Sequence, residues 1–227
     1  MSSAALSGNV ILITGAANGI GAAVARAYAA EGATIILLDK DVPGLEKTYD
    51  AVVVSSMKTA IYPLDLKGAS VNDYTDLVNT IETHFGRLDA LVHCAAMLGQ
   101  LAPIEHQDPT TWSETLHINL TAPFLLTKAC LPLLKKQQQA AIIFTTDQHK
   151  AKAYWAGYGI SKAGIETLAK QLADELETEG RIEVHCIDPG KVKTAFFSRA
   201  FPAAEQHHLP SPDDVSSLYL SAIKNVY

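Results

Sequence analysis

Thr14-Gly15-Ala16-Ala17-Asn18-Gly19-Ile20-Gly21 follows the apolar run Val10-Ile11-Leu12-Ile13 and leads into Ile20, Val24, Ala27 and Tyr28, a pattern of helical period. A strand that turns through three glycines into a helix has the outline of a phosphate cradle. Gly15 can take the positive φ of a tight turn. Gly19 lets the backbone approach a pyrophosphate, and Gly21 lets the helix pack close to the strand. The helix start then offers free N–H groups and a favourable dipole to an anion. Asn18 and Ile20 lie within the cradle and join the candidate binding residues.

Outward from this turn, short apolar runs alternate with helical patterns. Thr34–Asp39, Lys58–Pro63, Ala90–His93, Ala141–Thr145 and Ile182–Ile187 are short and nearly continuously apolar, as strands covered on both faces are. Val71, Leu77, Val78, Ile81 and Phe85 repeat at helical spacing, as do Ile165, Leu168, Leu172 and Leu176. The alternation predicts a doubly wound parallel α/β sheet in one domain, residues 1–227. Ligands of such sheets bind outside the carboxyl ends of the strands.

Asp39 ends the second run, eighteen residues after Gly21. A carboxylate there accepts hydrogen bonds from adenosine ribose hydroxyls and repels a 2′-phosphate, so NAD is favoured over NADP despite the neighbouring Lys40. Tyr158 and Lys162 stand four apart and share one helix face. An ammonium beside a phenol favours the phenolate, which makes Tyr158 a candidate acid or base.

Composition narrows the rest. With 48% hydrophobic and 19% charged residues over 227 positions, the chain has a core and is not disordered. A net charge of −6 is a poor match for nucleic acid. No apolar run reaches the roughly eighteen residues that span a bilayer, and Met1 to Gly8 lack a signal-like pattern, so a cytoplasmic setting is expected. Cys94, Cys130 and Cys186 read as reduced and buried. No HExxH or paired CxxC occurs, His207 and His208 read as solvated loop residues, and no metal is expected.

The glycine turn, YxxxK and the strand order together resemble the short-chain dehydrogenase/reductase family from Val10 to about Leu220. The resemblance implies a Rossmann-type fold and hydride transfer between a nicotinamide cofactor and a secondary alcohol or ketone, with Tyr158 as acid/base. It further implies that Lys162 binds the nicotinamide ribose and that Asn119 anchors a water in the proton path. Asp65 and Leu66 match its adenine contacts. Pro189, Gly190, Val192 and Thr194 match its PGxxxT segment, whose threonine holds the carboxamide. Ala95 keeps a small residue where backbone passes the cofactor. The region of about 195–210 corresponds to a substrate lid, and dimers or tetramers are expected.

Three departures stand out. No serine lies between Phe144 and Tyr158, where the family carries its catalytic hydroxyl. Counting thirteen residues back from Tyr158 gives Thr145; aligning from the strand gives Asp147, with Thr146 before it. Thr146 or Thr145 is expected to take the serine role. The rival is an inactive or unusual site built on Asp147-Gln148-His149, in which the chain is a dinucleotide-binding regulator or scaffold without turnover. Second, His93-Cys94-Ala95-Ala96 replaces NNAG, and His93 is expected to be structural. Third, the usual last strand is missing, leaving a sheet edge to be covered or left open.

Overall fold

The computed structural model describes residues 4–55 and 58–227. Six strands, β1 (Val10–Thr14), β2 (Thr34–Asp39), β3 (Ala60–Pro63), β4 (Ala90–His93), β5 (Ala140–Thr145) and β6 (Ile182–Ile187), pair in parallel in the order β3-β2-β1-β4-β5-β6. The order reverses at β1, which places a crevice at the carboxyl ends of β1 and β4. The third strand starts at Ala60; Lys58, expected as its first residue, lies in the preceding turn. No strand follows β6 among the described residues, so β6 is an edge.

The helices are α1 (Gly19–Ala30), α2 (Val42–Val53), α3 (Val71–Phe85), α4 (Pro109–Leu116), α5 (Ala122–Leu134), α6 (Ala156–Glu177), α7 (Ala195–Ala200) and α8 (Pro212–Lys224). Strand residues alternate between two cores. Val10, Leu12, Leu91, Ile142 and Phe144 face the side that holds residues of α3, α5 and α6. Ile11, Ile13, Val92 and Ile143 face residues of α1, α2 and α8. Both faces of β1, β2, β4 and β5 are covered, which explains their continuous apolar runs, whereas β6, at the sheet edge, is only partly covered and leaves Cys186, expected to be buried, exposed. Helix starts are fixed locally: Ser70 and Asp73 form a capping box on α3, and Ser211 and Asp214 form another on α8.

The amino ends of the strands are closed by Asp89, which is 1% exposed. Its carboxylate accepts the Val10 N–H at 2.7 Å and two Arg87 N–H groups, from Nε at 2.9 Å and Nη2 at 2.6 Å. The Tyr227 hydroxyl donates to the Asp89 carbonyl at 2.8 Å. The carboxyl ends, in contrast, open onto a cavity of about 460 Å³.

Candidate active site

The cavity begins at the glycine turn. Gly15 has φ +68°, and a Cβ there would lie 2.7 Å from the Ala95 nitrogen. At Gly21 a Cβ would fall 2.2 Å from the Gly15 carbonyl oxygen. Close approach at Gly21 is therefore to the turn itself, which draws the first turn of α1 tight under the cradle. The Thr14 hydroxyl accepts both the Cys94 and Ala95 N–H groups at 3.2 Å and locks the β4 end against the turn. Side chains cap α2, α3, α4, α7 and α8, through Asp41, Ser70, Asp108, Thr194 and Ser211. Asn18, the N-cap residue of α1, makes no such bond, nor do those of α5 and α6, and residues of the first turn of α1 line the cavity without a side-chain acceptor for their N–H groups. That is the donor set a pyrophosphate requires.

At one end of the cavity lie Asp39, Lys40, Asp65 and Leu66. The Asp39 carboxylate accepts backbone N–H groups of Ala17 at 3.2 Å, Lys40 at 2.7 Å and Asp41 at 3.1 Å, which fixes it at the rim. Gly19, Ile20, Ala95, Pro189, Gly190, Val192 and Thr194 line the same cavity, as the sequence expects. The Thr194 hydroxyl caps α7 by accepting the Phe197 N–H at 3.1 Å.

At the other end, α6 brings Tyr158 and Lys162 together, both about 4% exposed. The Lys162 ammonium donates to the Thr145 carbonyl at 2.8 Å and lies 5.6 Å from the centre of the Tyr158 ring. One hydrogen bond to protein leaves a buried ammonium with N–H groups to spend on a ligand, which fits a ribose diol. Burial pulls this ammonium down to about 8, against the opposing pull of Asp147. Burial, reinforced by the Asp147 charge, pushes the Tyr158 hydroxyl far above the ordinary phenol range.

The loop after β5 corrects the expectation for the threonines. The Thr146 hydroxyl donates to Glu166 at 2.9 Å, away from Tyr158, and Glu166 also pairs with Lys150. Thr145 shares a hydrogen bond of 2.9 Å with the Tyr219 hydroxyl. Asp147 takes the place beside Tyr158, whose hydroxyl donates to Oδ2 at 2.9 Å. The reason is where each side chain is spent and how short the loop is. Thr145 reaches Tyr219 on α8 and Thr146 reaches Glu166 further along α6, so neither hydroxyl bonds Tyr158 and the next side chain does. Asp147 lies eleven residues before Tyr158, two fewer than the resemblance implies. The short connection carries two left-handed residues, Tyr154 (φ 73°) and Ala156 (φ 32°).

Asn119 sits in a π-turn, His117–Thr121, between α4 and α5. Its amide exchanges hydrogen bonds with the Met97 backbone at 2.7 and 2.8 Å and donates to the Ser161 hydroxyl at 3.1 Å. The side chain is a clip between the β4 loop and α6. His93 is buried, stacked on Phe144 at 4.8 Å and bonded to the Thr127 hydroxyl at 2.9 Å; burial pulls its imidazole down to about 3. It is a neutral core residue. Between α7 and α8 the structure brings Glu205 beside His207 and His208, three exposed side chains with donor atoms within 4.8 Å of one another. His149, named in the rival reading with Asp147, is 7% exposed and stacked on Trp155 at 4.0 Å, a contact the sequence does not signal.

Comparison with known proteins agrees with this fold. A family model for short chain dehydrogenase matches residues 9–205. The uncharacterized oxidoreductase YciK of Escherichia coli is 34% identical over 95% of this chain and 86% of its own. A short chain dehydrogenase structure from Pseudomonas syringae superposes with a TM-score of 0.93 at 39% identity, covering 96% of this chain and 90% of that one. A Shigella flexneri structure complexed with NADP gives 0.92 at 34% identity, over 96% and 92%.

Proposed function

The chain belongs to the short-chain dehydrogenase family and is an oxidoreductase of CH–OH donors; from that premise we propose that it interconverts a secondary alcohol and the matching ketone beside Tyr158. The observation that carries this reading is one cavity running from the uncapped start of α1 to a buried tyrosine–lysine pair. A bound nicotinamide dinucleotide supplies or takes the hydride. The α1 N–H groups hold its pyrophosphate and Lys162 its nicotinamide ribose. Thr194, with Pro189, Gly190 and Val192, would border the carboxamide, and Asp65 and Leu66 the adenine. Asn119, expected to anchor a water in the proton path, spends its amide on Met97 and Ser161 and supports the site by clipping the β4 loop to α6. Tyr158 handles the proton of the substrate oxygen.

The Shigella flexneri relative carries NADP. In this chain the Asp39 carboxylate, fixed at the rim by three N–H groups, supports NAD, because a 2′-phosphate beside it meets like charge with only Lys40 adjacent to offset it. Residues 195–210 form the lid, with Phe196 and Phe201 packed around Trp155 and Tyr158 as an apolar wall. The cavity stays open beside Tyr158 although Asp147 occupies the serine position, which speaks against a scaffold without turnover. No helix among the described residues is long and apolar enough to cross a membrane.

The test is a panel of secondary alcohols and ketones with NAD(H) and NADP(H), run on the wild-type protein and Tyr158→Phe. Turnover with NAD(H) that the variant loses supports the reading. Equal turnover by both proteins contradicts it, and a preference for NADP(H) contradicts the Asp39 argument.

A further inference from the structure

The carboxylate beside Tyr158 changes what a tyrosine can do there. Asp147 Oδ1 accepts the His149 backbone N–H at 2.7 Å and lies 2.5 Å from His149 Nδ1, while Oδ2 accepts the Tyr158 hydroxyl at 2.9 Å. Capping of the short 3₁₀ turn 148–151 accounts for the backbone bond to Oδ1. It does not account for the aim of Oδ2 at the tyrosine, nor for an imidazole held flat against Trp155. All four side chains line the cavity.

A phenolate at Tyr158 would face a carboxylate at hydrogen-bond distance, and like charges so placed are not both formed. Lys162 lies 5.6 Å from the Tyr158 ring centre, and the hydrogen bond its ammonium makes is to the Thr145 carbonyl, not to the phenol. Asp188, which follows β6, adds a second negative group, and Cys94 and Tyr219 face the cluster as neutral groups. The Lys150–Glu166 pair compensates itself on the far side of Thr146. The Tyr158 proton therefore already points at its acceptor.

We propose that Tyr158 works as a neutral relay, handing its proton to Asp147 as it takes one from the substrate hydroxyl, and that Asp147 is the terminal proton acceptor of the site. In alcohol oxidation the substrate O–H bond breaks and its proton forms a new bond to the Tyr158 oxygen. The original Tyr158 O–H bond breaks and that proton joins Asp147 Oδ2. The electron pair of the carbinol C–H bond leaves as hydride to the nicotinamide cofactor. Tyr158 begins and ends neutral, and ketone reduction reverses each transfer. His149 is a positioning residue: stacked on Trp155, it fixes the carboxylate rotamer. This inference rests on the oxidoreductase reading.

Tyrosinate absorbance tests the wiring without a substrate, taken as the difference between a given protein and its Tyr158→Phe counterpart across an alkaline titration. The expected result is no Tyr158 ionisation up to about pH 11, and in Asp147→Asn an ionisation favoured at least about tenfold more. An unchanged midpoint in Asp147→Asn overturns the proposal. Asp147→Ser serves as the second variant should the asparagine form not fold. In turnover, Asp147→Asn is expected to lose at least about 100-fold in kcat with the cofactor KM unchanged, and Asp147→Glu to recover part of it. Equal kcat and equal pH profiles in wild type and Asp147→Asn overturn the acceptor role. Failure to bind NADH or NADPH overturns the oxidoreductase reading itself, and the absorbance result separates the two failures.

Discussion

Asp89 and Asp147 stand at opposite ends of the same sheet and are satisfied in opposite ways. Asp89, at the amino end of β4, meets a guanidinium and a backbone N–H, and does not line the cavity at the carboxyl ends. Asp147, at the carboxyl end of β5, meets a phenol and an imidazole on a cavity wall, close to a lysine whose charge burial disfavours. The closed end joins β1, β4 and Tyr227. The open end keeps donors for a ligand and gives up stability in the absence of one. Residue type alone does not separate the two carboxylates; the end of the sheet does.

The contrast breaks most visibly at the open end. Tyr158→Phe is expected to lower kcat by about 10³-fold while changing stability by no more than about 1 kcal/mol, because the freed Asp147 oxygen faces the cavity and water. Turnover and urea denaturation of the same preparation check both halves. At the closed end the expectation reverses. Asp89→Ala leaves the Val10 N–H buried without its acceptor, while the half-exposed Arg87 returns to water. A loss of about 3 kcal/mol in urea denaturation is expected, with cofactor affinity retained.

Lys162→Met sharpens the comparison, since removing a functional charge should stabilise the protein free of cofactor. A lysine lowered to about 8 by burial binds fewer protons folded than unfolded between there and its ordinary 10.5. Wild-type stability attributable to this group is therefore complete above 10.5 and falls away as the pH drops through about 8. At neutral pH Lys162→Met should be the more stable protein by on the order of 2 kcal/mol, with the gap closing towards about pH 10.5. Denaturation at both pH values reads it. The smallest effect belongs to neither end: Arg26 and Asp213 pair at 2.6 Å on the surface, and Asp213→Ala should cost less than about 0.5 kcal/mol.

What the sequence shows divides along similar lines. The glycine turn, the strand order and the Tyr158–Lys162 pair are legible because each depends on local backbone geometry or on a fixed helical spacing. The start of β3 is less so, since a mixed run such as Lys58–Pro63 does not mark where pairing with β2 begins. The replacement for the catalytic serine was legible only as three candidates. Choosing among Thr145, Thr146 and Asp147 needs the partner each side chain finds and the length of the loop behind β5, and both are tertiary facts. His149 carries no spacing signal towards Tyr158; it reaches the site through Asp147 and the stack on Trp155. The clip role of Asn119 depends on a π-turn that apolar periodicity does not announce.

The central claim, that the uncapped end of α1 and the buried pair on α6 share one nicotinamide dinucleotide, is tested most directly by calorimetric titration with NADH and NADPH on the wild-type protein and Gly21→Val. A β-branched side chain at position 21 collides with the Gly15 carbonyl and destroys the cradle while Tyr158 and Lys162 stay in place. The account predicts micromolar binding of NADH, weaker binding of NADPH, and neither in Gly21→Val. Absence of binding to the wild-type protein, or undiminished binding to a folded Gly21→Val, would contradict it.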